Sequence, residues 1–424
     1  MRLRTLVVIV LASFSLICVL GAQETAGTSM SLDQCLDLAF KQNPLLLSAL
    51  EKYRASRARV SQALAIPQPS LDYDSDLQPR PLDFRGSGES YFGVSQTVEF
   101  PGKRSLRGKI ARRESDELLS EIDLLKLDLG FQVKQAFFGL LLARERANTA
   151  RQDVDLSRDF LQKAEVMRSS GDIAEVEVLR ARVEAARTAN ALRAAENETR
   201  LAAAALNFLL ARKKYESLEI RGEMRGPFIP LDLEALKQKA LALRPELRGN
   251  KAAIEKESLR KTQAYLSYLP DFDLGISRHR IAGEQKTWDF TVSIPIPIFF
   301  WQPAKGLVAE ADANRESLKR ESDHLANAIS LEVEEAYMNA LAANDQIRLF
   351  EEQVLTQAEE VYEIFLFKFQ EGEIGGIELI DARRSLNDAR GSYADALFNY
   401  RVTIAALEKS IGQSLDGEHD DKTD

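Results

Sequence analysis

The sequence predicts a mainly α chain with a membrane β-barrel part, built from a duplicated strand–strand–long-helix-pair repeat. Three observations carry that reading. NPLLL (Asn43–Leu47) and RPELR (Arg244–Arg248), PSLDYDSD at Pro69 and PDFDLGIS at Pro270, and SGDIAEVEVLRAR at Ser170 and EGEIGGIELIDAR at Glu371 all lie 201 positions apart. No proline interrupts Lys103–Arg168 or Ala304–Gln370. Four short segments alternate polar and apolar residues at period two, which sends them to opposite faces of a strand.

The elements follow in order. Arg2 and Arg4, the apolar run Leu6–Leu20, and Gly21 and Ala22 form the charged, apolar and small-residue regions of a signal peptide, residues 1–22. Cys18 would be the alternative, a lipid-anchor cysteine, but Ile17 before it is large for that role. Removal of the peptide leaves one cysteine, Cys35, set among Leu32, Leu36 and Leu38 on an apolar helical face. No intrachain disulfide can form, and Cys35 reads as packing.

The first repeat covers residues 31–212, with strands at about 70–78 and 90–100 and long helices at about 103–168 and 172–212. A linker, 213–230, leads to the second repeat, 231–412. Its strands fall at about 271–280 and 288–298, its long helices at about 304–370 and 376–412, and a charged tail closes the chain at 413–424. The first long helix carries Ile122, Leu125, Leu129, Val133, Ala136 and Leu140; its equivalent runs from Ile329 through Ile347 to Val361 and Phe365 in the same rhythm. That is a coiled-coil seam with many small residues. At about 1.5 Å per residue each helix would span about 100 Å, which predicts a rod.

The strands put Leu71, Tyr73, Phe92, Val94, Phe272, Leu274, Ile276, Trp288, Phe290 and Val292 on one face. The other face takes Asp72, Asp74, Asp76, Asp271, Asp273 and Asp289. Three like charges along one strand repel unless water screens them. A barrel with an apolar exterior and a wet lumen supplies that water. Four strands cannot close, and lipid tolerates no open sheet edge, so several chains must each donate four. Three would make twelve strands. A soluble sheet packed on helices leaves the aspartate row unexplained.

Other classes lack support. The net charge of −9 opposes nucleic-acid binding, which needs a basic face. Three histidines, His279, His324 and His419, show no metal-ligand spacing, so neither a metal site nor a cofactor is expected. RGSGE (Arg85–Glu89) resembles a phosphate loop, but no helix follows it and a hairpin loop is expected instead. No nucleophile and base are paired, so no enzyme is expected. A periplasmic adaptor or coiled-coil scaffold would share the long helices, but no lipoyl-like β module lies between them.

SLDQCLDLAFKQNPLLL, the two Pro-led strands, SQTVEFPGKRSLR, SIPIPIFFWQPAKG and FQEGEIGGIELIDARRSL, in this order and duplicated, resemble the TolC-like outer membrane efflux protein family over nearly the whole mature chain. EFPGKRSLR is most similar to its heavy-metal cation branch. The resemblance implies a homotrimer with a twelve-stranded barrel in the outer membrane and an α-helical tunnel through the periplasm. It further implies an exit duct of a tripartite efflux system, partnered by a periplasmic adaptor and an inner-membrane pump of the RND type. Ducts of type I protein secretion share this plan. The Gly turns become the periplasmic tip, with Arg168, Gly171, Asp172, Gly372 and Glu373 as adaptor contacts. GIELIDA implies an acidic pore constriction at Glu378 and Asp381, with Glu177 at the equivalent position of the first repeat.

Overall fold

The computed structural model describes residues 29–76, 80, 87–171, 173–212, 218–226, 232–296, 298–299, 301–371 and 373–415. The expected signal peptide, Cys18, Asp172, Gly372 and residues 416–424 of the tail lie outside these residues. In chain order the elements are α1 (Leu32–Gln42), α2 (Pro44–Ala63), β1 (Ser70–Asp76), β2 (Glu89–Val98), α3 (Lys103–Ser170), α4 (Glu175–Leu209), α5 (Leu233–Leu243) and α6 (Pro245–Leu266). Then come β3 (Phe272–Ile281), β4 (Thr287–Ser293), α7 (Trp301–Leu349), a π turn (Phe350–Val354), α8 (Leu355–Gln370) and α9 (Gly376–Ile411). None of the described helices is long and apolar enough to cross a membrane.

Local chemistry explains where helices begin. Ser31 and Gln34 form a reciprocal capping box, Ser31 N–H to Gln34 Oε1 at 2.9 Å and Gln34 N–H to Ser31 Oγ at 3.3 Å. Asn43 Oδ1 accepts from the amides of Leu45 and Leu46, and Pro44 occupies the first turn of α2. Asp232 caps α5 through the Glu234 amide at 3.1 Å.

The chain forms two compact units, 1–39 with 132–226 and 350–401, and 40–131 with 227–349 and 402–424. In the second, Leu236, Ala240, Ile329, Val333, Ala336, Leu407 and Ile411 make a core, packed over by Leu247 and Tyr337. Arg244 is buried beside it. Its guanidinium donates to the Lys409 and Ser410 carbonyls at the end of α9 and to the carboxylates of Glu246 and Glu332, at 2.6–3.2 Å. The Gly412 amide also donates to the Lys409 carbonyl at 3.2 Å, and Arg244 adds a side-chain donor to both helix-end carbonyls. This unit also holds the sheet, antiparallel throughout in the order β1-β2-β3-β4.

In the other unit, Ala164, Val178 and Ala181 pack with Phe160, Leu161 and Ile173. Residues 218–226, expected as part of a linker, are held by side chains. Arg144 donates to the Leu218 and Ile220 carbonyls, and Arg401 donates to those of Glu223, Met224 and Arg225. Met30 pairs with Ile220 in a parallel bridge. Cys35 is buried and unbonded to sulfur, and burial pushes its thiol up to about 11.

Several boundaries differ from expectation. The fourth strand stops at Ser293 rather than near 298, because Pro295 offers no N–H to a ladder. The second strand ends at Val98 rather than Phe100, ahead of the Pro101–Gly102 turn, where Gly102 has φ +102°. Asp271 precedes β3 instead of lying in it. The helix expected over 304–370 starts at Trp301 and is broken by the π turn. There Thr356 Oγ1 donates to the Glu351 carbonyl at 3.4 Å. The Glu351 carboxylate takes the Tyr393 hydroxyl at 2.6 Å and Arg225 at 3.1 Å. Burial first, then that hydrogen bond, pushes Tyr393 up to about 12. A π turn adds one residue to the helix and rotates the face beyond it. Ala358 and Phe365 stay half-buried as expected, but Val361 is 45 % exposed and Tyr362 is half-buried in its place.

Arg244→Ala should lower the thermal midpoint of the detergent-solubilised protein. The loss expected from withdrawing the guanidinium from these helix-end carbonyls and two carboxylates is about 1–3 kcal/mol. Asn43→Ala, which removes the buried cap of α2, should cost about 1 kcal/mol. An Arg244 variant that melts with the parent would refute the capping role.

Candidate functional site

The sheet fixes which side chains share a face. One set of rows reads Asp72–Gly93–Ser277–Asp289, Asp74–Tyr91–His279–Thr287 and Ser70–Ser95–Gly275–Thr291. The alternate rows read Leu71–Val94–Ile276–Phe290 and Tyr73–Phe92–Arg278–Trp288. Asp273, paired with Thr97 and Ser293, joins the polar face, as does Asp76. Leu71, Tyr73, Phe92, Val94, Ile276, Trp288, Phe290 and Val292 are all exposed. A face so apolar and so bare needs a cover other than water.

On the polar face the carboxylates are hydrogen-bonded rather than clustered. Asp72 accepts from Ser95 Oγ at 2.6 Å, and Asp273 accepts from Thr97 Oγ1 at 2.6 Å. Asp74 Oδ1 accepts from the Ser75 amide at 2.8 Å. Asp289 lies 3.5 Å from His279 Nδ1, and His279 Nε2 lies 2.7 Å from Glu89. The Tyr91 hydroxyl also donates to Glu89, and its ring stacks on His279 at 4.1 Å. A cleft of about 240 Å³ opens over Asp72, Asp74, Tyr91, Asp273 and Ser277. Sequence reasoning missed Glu89, because it started the second strand one residue late. Asp271 does a different job from its neighbours. It accepts from the Phe100 amide at 2.7 Å and from Lys103 Nζ at 2.8 Å, so it ties the start of α3 to the start of β3. Glu99 pairs with Arg107 beside it.

Gly93 sits where β2 lies tight against β3. A Cβ there would lie 2.6 Å from the Ser277 Cβ and 2.7 Å from the Ile276 carbonyl oxygen. At Gly275 the nearest atom would be 3.5 Å away.

At the turn between α3 and α4, Gly171 takes φ +85° and its amide donates to the Arg168 carbonyl. Arg168 pairs with Glu175 across that turn. Glu373, at the turn before α9, donates its amide to the Lys368 carbonyl at 2.9 Å and is exposed. Glu177 pairs with Arg180 at 3.1 Å, and Asp381 pairs with Arg384 at 3.2 Å. Arg180 therefore spends its charge within its own helix. Arg384 also reaches Glu184 at 2.9 Å. Glu378 is exposed, its carboxylate resting over Gly375. Among the described residues no cation is bonded to it.

A second network lies above these turns. Asp153 Oδ1 accepts from Asn387 at 2.7 Å and from Arg383 at 3.3 Å, and Arg383 donates to the Tyr362 hydroxyl at 3.3 Å. The Arg383 guanidinium stands 5.8 Å from the Tyr362 ring centre. These groups line a cleft of about 480 Å³ between α3, α4, α8 and α9. The Arg383–Asn387 spacing of one helical turn was the available sequence signal; Asp153 lies too far off in the chain to be assigned to it.

Comparison with known proteins gives one consistent result. Residues 35–212 and 236–413 each match the family model described as outer membrane efflux protein. The cobalt-zinc-cadmium resistance protein CzcC of Cupriavidus metallidurans is 26 % identical over 414 residues, covering 92 % of this chain and 95 % of that one. Among solved structures, CusC superposes with a TM-score of 0.74 at 18 % identity, covering 93 % of this chain and 96 % of that one. The CmeC outer membrane channel of Campylobacter jejuni gives 0.74 at 17 % identity, over 90 % and 85 % of the two chains.

Gly93→Val should prevent β2–β3 pairing and abolish assembly, because the clash is with backbone, whereas Gly275→Ala should assemble normally. Heat-resistant oligomer on gels of outer-membrane extracts reads the difference. Equal assembly of both variants would show that the close approach is not a constraint.

Proposed function

Because the chain belongs to the outer membrane efflux protein family, an outer-membrane channel of tripartite pumps with a large periplasmic tunnel, we propose that it passes divalent metal cations out of the cell. The observation that carries the proposal is the sheet register. It lines one face with Asp72, Asp74, Asp76, Asp273 and Asp289 and leaves the other face apolar. A trimer closes these strands into a twelve-stranded barrel whose lumen bears that acid. Fixed carboxylates along a pore concentrate cations and repel anions. The name of CzcC, for resistance to cobalt, zinc and cadmium, supports the same class of cargo.

The partners proposed are a periplasmic adaptor and an inner-membrane pump of the RND type. Arg168, Gly171, Asp172, Gly372 and Glu373, at the two Gly turns, would meet the adaptor. Glu378, Asp381 and Glu177 are proposed to line the constriction. The arginine pairing of Glu177 and Asp381 gives them unequal weight. Each has a guanidinium within its own helix, so its field is largely cancelled. Glu378 would supply the effective charge, one carboxylate per chain and three in the trimer.

Deleting the gene should sensitise cells to cobalt, zinc or cadmium salts more than to organic drugs, and re-expression should restore growth. Sensitivity to organic compounds alone would defeat the metal reading. In planar bilayers, Glu378→Gln should weaken block by multivalent cations more than Asp381→Asn does. The reverse order would place the constriction charge at Asp381.

A further inference from the structure

Two arginines stand on the wrong face of the sheet for the lumen. Arg278 and Arg280 alternate with Ser277 and His279, so they share the apolar face with Leu274 and Ile276. The carboxylates at this end of the strands, Asp74, Asp76, Glu89 and Asp289, lie on the opposite face. Both arginines are exposed, and among the described residues neither meets a carboxylate. Arg278 instead stands 5.7 Å from the centre of the Trp288 ring.

Their height along the strand is informative. On this face β3 reads Phe272, Leu274, Ile276, then Arg278 and Arg280 toward the β3–β4 hairpin. The Arg278 row contains Tyr73, Phe92 and Trp288, three aromatics side by side. The next row outward is Ser75–Ser90–Arg280. Apolar rows ending in aromatics and then in hydroxyls describe the boundary between hydrocarbon and headgroups. An arginine on the lipid face is expensive at mid-bilayer, and the cost fades at that boundary. The helices leave the strands at their other ends, after Val98 and Ser293, so the hairpin end faces out of the cell. We propose that Arg278 and Arg280 bind the phosphate groups of an anionic outer-leaflet lipid, with Trp288 holding the Arg278 guanidinium flat against the barrel wall. Guanidinium presents paired N–H donors that match phosphate oxygens, and a headgroup bound there reaches the aromatic row with its acyl chains along Ile276 and Phe290.

The inference rests on the barrel reading, and one preparation separates the two. Full-length oligomer in neutral detergent is examined by native mass spectrometry while diphosphoryl lipid A is added. Parallel arms use dephosphorylated lipid A and inorganic phosphate. The parent should retain lipid A, with the dephosphorylated form weaker and inorganic phosphate unretained. Arg278→Gln/Arg280→Gln should lose affinity for lipid A about thirtyfold, while its binding of the dephosphorylated form stays unchanged. Unchanged lipid A affinity in an intact trimer overturns the headgroup site and leaves the barrel standing. Retention of inorganic phosphate as strong as that of lipid A would also overturn it, since no acyl contact would then be needed. A parent preparation with no trimer refutes the barrel itself. If the double variant does not assemble, Arg280→Gln alone decides, because it leaves the Arg278–Trp288 pair in place.

Discussion

Unpaired backbone polar groups at the two edges of the sheet govern the architecture. In the order β1-β2-β3-β4 each inner strand is bonded on both sides, but β1 and β4 each present an outer row of N–H and C=O groups. Water would satisfy those rows; hydrocarbon cannot. With an exposed apolar face directing the sheet into lipid, the only remedy is another copy of the same edges. β1 of one chain must meet β4 of the next, and the ring closes when enough strands accumulate. Oligomerisation is thus part of folding for this chain, and the trimeric barrel follows from sheet geometry together with family membership.

The same requirement explains why the strands are few and simple while the helices are long. Two hairpins per chain need only a close β2–β3 contact, supplied by Gly93, and firm anchors where they leave the membrane. Asp271 and Lys103 form one such anchor, and Glu99 with Arg107 forms another at the end of β2. The Glu99 hydrogen bond holds the Arg107 guanidinium pKa above its usual value. The two central strands are therefore tied to the helical part by ion pairs, while the membrane face of the sheet is left free of charge up to the aromatic row.

Much of this was legible in the sequence because it is local or periodic. The facing of the strands follows from period two, the long helices from apolar spacing without proline, and the acidic row from three alternate aspartates. What escaped notice depends on groups brought together from afar or on a break in period. The π turn at Phe350–Val354 is invisible to a spacing argument that assumes one rhythm, and it moves Tyr362 rather than Val361 inward. That rotation is what allows Arg383 to reach both Tyr362 and Asp153, a trio drawn from three helices. The end of β4 was misplaced for a simpler reason: Ile294 and Ile296 keep the apolar alternation going after proline has ended the ladder.

Duplication with divergence accounts for the remaining asymmetry. Asn43 and Arg244 occupy equivalent positions, 201 apart, and both precede a helix that starts with proline. Asn43 caps its own helix through two amides, whereas Arg244 turns away to close the far end of α9. At the turns the shift is one of charge. Glu177 is equivalent to Glu378 and Arg180 to Asp381, so the arginine that neutralises Glu177 has been replaced by a second acid. The second repeat recovers an arginine one turn later, Arg384, which pairs with Asp381 and Glu184 and leaves Glu378 beyond its reach. A strict repeat would have balanced Glu378 as Arg180 balances Glu177. Divergence instead leaves the second repeat with one carboxylate, Glu378, that no arginine of its own helix neutralises, while the corresponding charge of the first repeat is cancelled.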